Sequence, residues 1–361
     1  MSKLIVISGF LGAGKTSTIA ALGKMLIAKG IKVGVITNDQ GKNLVDTNFL
    51  NDEGMSVFEI TEGCFCCNFD VFTKKLQTMA KDQMPDYILA EPIGSAINLV
   101  ATIFKPVMSN YAKEFSVAPL SVVVDPKRVR RIMSDTQNQT NFGGEINYLF
   151  EQQLAEADVI ALNKTDKLTY EEKSELIEFL KKRFFPAQVV AISAINGDGI
   201  KEWFDVVSNK IAIDKVTREI DYEKHKKAEG NLAWLNSFVT LQSEEAIDFN
   251  IVIEDLMNSI NNKIEKENCE IAHLKAYAVS GYDFCKAGIT STGDIVGFNR
   301  KMTTKNKKSN LIINARVEIT PAKLKEIIEE VLESIYKAYK LTPTDQKTEA
   351  FAPKYTGPSC L

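Results

Sequence analysis

The chain has 361 residues, 45% of them hydrophobic and 25% charged, with a formal net charge of -3. This is about twice the common domain size, so two domains are expected, and the near-neutral balance argues against a general polyanion binder such as a nucleic-acid-coating protein. No apolar run approaches the roughly 20 residues that span a bilayer, and the opening MSKLIVISGF is too soon broken by glycine to serve as a signal peptide. The expectation is a cytoplasmic protein with neither nucleic acid nor membrane as partner.

In chain order, the first predicted strand is 4–8, an apolar run without alternation, as suits a strand covered on both faces. It leads into Gly9-Phe-Leu-Gly12-Ala13-Gly14-Lys15-Thr16-Ser17 and a predicted helix over 16–29. Strand, glycine-rich turn and helix in this order are the context in which G-x-x-x-x-G-K-[ST] binds phosphate. Glycines let the backbone amides close around phosphate oxygens, Lys15 can reach the β- and γ-phosphates, and the Thr16 hydroxyl can ligate Mg²⁺. The fold class that follows is α/β, a P-loop NTPase with a mostly parallel sheet, plus a smaller C-terminal α+β domain.

The second predicted strand, 33–37, ends on Thr37-Asn38-Asp39-Gln40-Gly41, and the third, 87–90, ends on Glu91-Pro92-Ile93-Gly94. An acidic group at either strand end, Asp39 or Glu91, can hold Mg²⁺ or orient the attacking water, and the Gly94 backbone can approach the γ-phosphate. For Asp39 a plain turn residue is an equally open reading. Between these turns lie Cys64, Cys66 and Cys67, just before a predicted helix over 71–82. Adjacent cysteines make strained disulfide partners, whereas three thiolates from one loop are soft ligands with a fourth position vacant. They suit Zn²⁺ first, with Co²⁺ or Ni²⁺ also possible; a redox-sensitive or packed cluster is the alternative. Cys269 and Cys285 read as incidental or buried thiols, and Cys360 falls in the tail.

Further predicted strands cover 121–124, 159–162 and 189–192, with a helix over 170–184. The strand ending at Leu162 delivers Asn163-Lys164-Thr165-Asp166, and the next ends on Ser193-Ala194. A carboxylate at Asp166 can accept from guanine N1–H and the exocyclic amine, a donor pair that adenine lacks, while Ser193 and Ala194 can offer backbone amides to guanine O6. GTP is therefore the expected nucleotide. Residues 1–213 read as the GTPase domain, 214–230 as a charged connector, 231–340 as the α+β domain and 341–361 as a flexible tail. Within the second domain the pattern predicts strands 235–241, 271–279, 284–291 and 311–319, and helices 251–264 and 321–340, the last capped by Thr320 with Pro321 in its first turn. The basic stretch 299–310 reads as a solvated hairpin loop.

The ordered set of the phosphate loop, the Asn-Asp-Gln-Gly turn, Gly63-Cys64-Phe65-Cys66-Cys67, the Glu91 motif and Asn163 to Asp166 resembles the CobW/HypB/UreG family of metallochaperone GTPases, its CobW-like members in particular. The likeness covers most of the first 210 residues. It implies a GTPase that forms a nucleotide-dependent homodimer and delivers a metal ion to a client metalloenzyme. Two departures stand out: the family's Asn-Glu is Asn38-Asp39 here, and with only His225 and His273 the chain lacks histidine-rich tracts. The readings retained beside delivery of a metal are a GTP-driven chaperone that loads an intact cofactor onto a corrinoid protein, and a metal-responsive regulatory module.

Overall fold

A computed structural model describes residues 1–39, 44–61, 63–134, 144–212, 217 and 219–352. The chain divides into two compact units, one comprising Met1–Gln40 and Glu53–His225, the other Gly41–Asp52 and Lys226–Tyr355.

In the first unit, β1 (Ser2–Ser8), β2 (Val33–Asn38), β3 (Ser56–Ile60), β4 (Tyr87–Glu91), β5 (Phe115–Val117), β6 (Ser121–Val124), β7 (Val159–Leu162) and β8 (Gln188–Ala191) form one sheet. Its order is β3-β2-β4-β1-β6-β7-β8, with β5 paired to β1, and every pairing is parallel. The helices along the chain are α1 (Lys15–Ile27), α2 (Val45–Asp52), α3 (Phe69–Asp82), α4 (Lys105–Asn110), α5 (Pro126–Met133), α6 (Gly144–Glu156), α7 (Tyr170–Arg183), α8 (Ile200–Ser208) and α9 (Tyr222–Gly230). All but α2 and the last turns of α9 belong to the first unit. Leu4, Ile5, Val6 and Ile7 are wholly buried, which accounts for the unbroken apolar run of β1; each such side chain contributes about 1.5–3 kcal/mol.

Two strands of this unit escape the sequence reading. β3 lies at the sheet edge, where Ser56 and Glu59 break up the apolar residues of Ser-Val-Phe-Glu-Ile. β5 is only three residues long. In the stretch 214–230 read as a connector, 222–230 are helical as α9, while 214–216 and 218 lie outside the described residues.

The second unit is an antiparallel sheet of β9 (Ala233–Ile247), β10 (Ile271–Ser280), β11 (Asp283–Ile289), β12 (Gly297–Arg300), β13 (Asn306–Val317) and β14 (Thr342–Phe351), ordered β12-β11-β10-β13-β9-β14. Helices α10 (Phe249–Lys266) and α11 (Pro321–Ala338) complete it. On α10, Val252, Ile253, Leu256, Met257, Ile260 and Ile264 recur at three- and four-residue spacing and enter the core with Ile328, Val331 and Leu332 of α11. Asp248 caps α10 and Thr320 caps α11, each side chain accepting from a first-turn amide.

Two expectations are corrected here. The stretch 341–361 is not all loose tail, because β14 pairs antiparallel with β9 over Thr342 to Phe351. Its polar residues and Pro343 suit an edge strand with one neighbour and its outward side chains in water. The hairpin loop expected over 299–310 is shorter, since β12 and β13 claim both of its ends.

Helix α2 packs in the second unit. Its first amide, Val45 N–H, donates to Asn314 Oδ1 at 2.8 Å. Asp46 is ion-paired with Lys275 and, at 2.9 Å, with Lys286. The Lys286 ammonium also lies 4.0 Å from the Phe49 ring centre, and Phe49 meets Phe284 edge-on at 6.3 Å. Burial alone would raise the Asp46 carboxyl, but the ammonium groups of Lys275 and Lys286 outweigh it and hold the group well below the usual carboxylate range. A depressed folded-state value stabilises the native state above the unfolded carboxylate pKa of about 3.9 and is lost as pH falls through the lower folded value. Asp46→Asn, which strands two cations, is therefore expected to cost about 3 kcal/mol at pH 7 and to flatten the acid limb of the stability curve. Urea denaturation of both proteins between pH 2 and 7 measures it; identical acid limbs would remove Asp46 from the account.

Candidate functional site

The site forms at the C-terminal ends of four neighbouring parallel strands, β3, β2, β4 and β1, where an open α/β sheet presents its loops. Between β1 and α1 the chain turns through Gly9, Gly12 and Gly14, all with positive φ. A Cβ on Gly9 would stand 2.2 Å from the Val123 carbonyl oxygen, and one on Gly14 2.3 Å from Asn163 Nδ2. The Val123 carbonyl is strand backbone, the Asn163 amide is held by its own hydrogen bonds, and both glycines have positive φ, so the cradle favours glycine at both places. Ala13 and Ser17 lie in the same turn and first helical turn, with Ala13 buried.

Lys15, Thr16 and Glu91 come together here. The Thr16 hydroxyl donates to Glu91 Oε2 at 2.9 Å and sits 3.1 Å from Oε1. Lys15 Nζ lies 3.8 Å from Glu91 Oε1 and 3.5 Å from the Phe10 carbonyl oxygen. All three side chains are buried. An ammonium, a hydroxyl and a carboxylate meeting at a glycine-lined turn match what a Mg²⁺-bound triphosphate requires: a cation for its oxygens, a hydroxyl ligand and an acid to hold the metal's water. Gly94 follows on the same loop; a Cβ there would strike Leu11 of the phosphate loop at 2.5 Å, so the two loops approach as closely as backbone allows.

At the other strand ends, Asn163 stitches two loops. Its Nδ2 donates to the Ala13 carbonyl at 2.9 Å, and its Oδ1 accepts from the Ala194 amide at 3.0 Å. Lys164 takes a left-handed backbone and pairs with Asp125. Ser193 Oγ donates to Asp166 Oδ1 at 2.7 Å and so fixes the carboxylate plane. The Asp166 residue is exposed, which leaves its other oxygen open to a base edge.

The three cysteine sulfurs lie within 4.8 Å of one another, and among the described residues they are the one His/Cys/Asp/Glu group that gathers this way. Thiolates around an ion with bonds of about 2.3 Å stand roughly 3.8 Å apart, so the donor set fits one soft ion. The Cys64 and Cys67 sulfurs stand closer than that, at 2.6 Å, and seating an ion spreads them. At Cys64 a hydrogen bond from Cys66 favours the thiolate, but the Cys67 contact and burial outweigh it and push the thiol up to about 12. Hydrogen bonds with Cys64 and Cys67, together with burial, raise Cys66 well above the ordinary thiol value. Cys269 and Cys285 are free thiols in the second unit, and burial pushes Cys285 up to about 12.

Asp39 ends up just past β2, its amide donating to the Ile60 carbonyl at 3.3 Å. Gln40 and Gly41 lie outside the described residues. Several supporting residues are missed by the sequence reading. Buried Gln153 of α6 donates to the Gly94 and Ala96 carbonyls, both at 2.9 Å, and sets the Glu91 loop. Arg128 stacks over Phe10 with its guanidinium 4.5 Å from the ring centre. Asp125 both caps α5 and pairs with Lys164; Asp-Pro directly after a Val run was the signal that could have marked it. Nothing local distinguishes Gln153.

Residues 3–190 match the family model described as CobW/HypB/UreG, nucleotide-binding domain. A Sinorhizobium protein named zinc chaperone CobW is 33% identical over 182 residues, 45% of this chain and 50% of that protein. The zinc chaperone YeiR of Escherichia coli is 32% identical over 181 residues, 49% of this chain and 50% of that one. The chain thus spans about half the length of these curated relatives. The crystal structure of HypB from Helicobacter pylori in complex with nickel aligns with a TM-score of 0.42 and 16% identity, over 60% of this chain and 92% of that one. No helix among the described residues is long and apolar enough to cross a membrane.

Proposed function

This chain belongs to the CobW/HypB/UreG nucleotide-binding family, and from that membership we propose that it is a GTP-hydrolysing metallochaperone carrying a thiophilic metal ion, zinc first, to a client enzyme. One observation supports this reading above the others: a Lys15, Thr16 and Glu91 cluster and a three-thiol loop follow the C-terminal ends of strands in one sheet, with β2 between them. The relatives named zinc chaperones favour zinc as the cargo.

In this reading the amides of Gly9 to Thr16 and the Lys15 ammonium hold the phosphates, while Asn163, Lys164, Asp166, Ser193 and Ala194 hold the guanine. Thr16, with Glu91 and Asp39 behind it, would hold Mg²⁺, which would supply charge neutralisation of the phosphates. Glu91 or Asp39 orients the attacking water, and Gly94 follows the γ-phosphate through its backbone. Cys64, Cys66 and Cys67 carry the metal, with a vacant fourth position through which a client's ligand enters. We assign nucleotide work to the first unit and client recognition to the second.

The test loads the protein with Zn²⁺ and follows release to a chromophoric chelator with GTP, GDP or a non-hydrolysable GTP analogue, always with Mg²⁺. Hydrolysis-dependent acceleration is expected, lost in Lys15→Ala, with GTP bound in preference to ATP. Equal release rates in all three nucleotides, or equal GTP and ATP affinity, would defeat the reading.

A further inference from the structure

We infer that Asn38 is the positioning residue through which the nucleotide state reaches the metal loop; this rests on the GTP-gated metal reading above. The Asn38 side chain is 95% buried, being 5% exposed, and its amide is fully committed. Nδ2 donates to the Ile60 carbonyl at 3.0 Å and to the Gly63 carbonyl at 2.7 Å. Oδ1 accepts from the Phe65 amide at 2.9 Å. Gly63 and Phe65 are the two neighbours of Cys64, so a single side chain grips the backbone on both sides of one proposed ligand.

The loop it grips is also held by bonds within itself and by α3. The Cys64 carbonyl accepts from the Cys67 amide at 3.1 Å and the Asn68 amide at 3.0 Å. Phe65 is buried and stacks on Phe72 of α3 at 4.5 Å between ring centres. Gly63 has φ +76°, the left-handed region in which this turn of the loop requires glycine. A loop of this kind moves as a body, and Asn38 is its attachment to β2.

The other end of the linkage is the β2 backbone. Thr37 is in register with Glu91 of β4, while Asn38 is in register with Ile60 of β3. The end of one strand is therefore paired on one side with the strand that carries the phosphate-side acid and on the other with the strand that leads into the cysteine loop, and Asp39, proposed to meet Mg²⁺ or the attacking water, is bonded directly to Asn38. A shift of this strand end between nucleotide states, even of a few tenths of an ångström, alters the three Asn38 hydrogen bonds and with them the spacing of Cys64 from Cys66 and Cys67. Such bonds are sharply distance- and angle-dependent, which makes them a discrete coupling element.

The experiment measures Co²⁺ and Zn²⁺ affinity by thiolate charge-transfer absorbance and competition, with a GTP analogue and with GDP, in the wild type, Asn38→Ala and Asn38→Asp. The expected wild-type ratio between nucleotides is about tenfold. In both variants it should fall toward one, while the GTP affinity of each changes far less than its metal ratio. Asn38→Asp keeps the acceptor for Phe65 and removes both donors, so it separates the Phe65 contact from those to Ile60 and Gly63. Amide hydrogen exchange on the wild type needs no variant: protection at Phe65 should differ between the two nucleotides. A wild-type ratio of one would overturn the GTP-gated reading itself. A normal wild-type ratio that survives in folded Asn38 variants, or Phe65 protection indifferent to nucleotide, would overturn only the role of Asn38.

Discussion

Asp166→Asn is expected to weaken GTP binding by roughly 10- to 150-fold and to raise affinity for xanthosine triphosphate. Each charge-assisted hydrogen bond to a carboxylate is worth about 1.5–3 kcal/mol, and the variant replaces one acceptor oxygen with a donor that meets the guanine exocyclic amine head-on. Xanthine carries a carbonyl at that position, so the same donor becomes a partner. Ser193 keeps the group oriented through its hydrogen bond to Oδ1, which argues that the swap exchanges chemistry without losing geometry. The carboxylate is exposed in this structure; its discrimination then depends on the base itself covering it, which favours the lower half of the range. Calorimetry with GTP and xanthosine triphosphate in the presence of Mg²⁺ decides. Unchanged GTP affinity would move base recognition elsewhere.

The second large effect is on metal. Changing Cys64, Cys66 and Cys67 together to serine should reduce zinc binding to below detection at micromolar protein, because hydroxyls are harder donors that do not ionise near neutrality, and thiolate sites owe on the order of 10 kcal/mol to their ligands. In the wild type the thiols of Cys64 and Cys66 hold their protons well above the ordinary range. Metal uptake at neutral pH must therefore release protons, and apparent affinity must rise with pH and fall as pH drops. Titration calorimetry in buffers of different ionisation enthalpy reads the released protons directly. Zinc binding that is tight in the serine variant, or independent of pH in the wild type, would separate the cluster from the cargo.

The nucleotide site was legible because its chemistry is written in contiguous segments: a glycine turn, an Asn-Lys-x-Asp run and a strand-end glutamate each carry their partner types locally. The sequence order of the motifs also placed the cysteine loop between two strand-end turns. What it could not supply was the side-by-side order of β3, β2 and β4, and without that order Asn38 is merely the residue before a candidate acid. Its three hydrogen-bond partners are 22, 25 and 27 residues away. Gln153 is hidden for the same reason, 59 residues from Gly94. The edge strands β3 and β14 were missed because an edge position relaxes the demand for apolar residues that made the central strands plain.

Helix α2 sets a rule for anyone who would recombine this protein with a relative. The segment that starts five residues beyond Asp39 keeps its company with Asn314, Lys275, Lys286 and Phe284, all contributed by the distant half of the chain. A crossover at the linear junction near residue 225 would give a chimera in which Asp46 and Phe49 come from one parent and their partners from the other. Residues 44–52 and the β10, β11 and β13 strands should therefore vary together across descendants, and a working swap must move two pieces, not one.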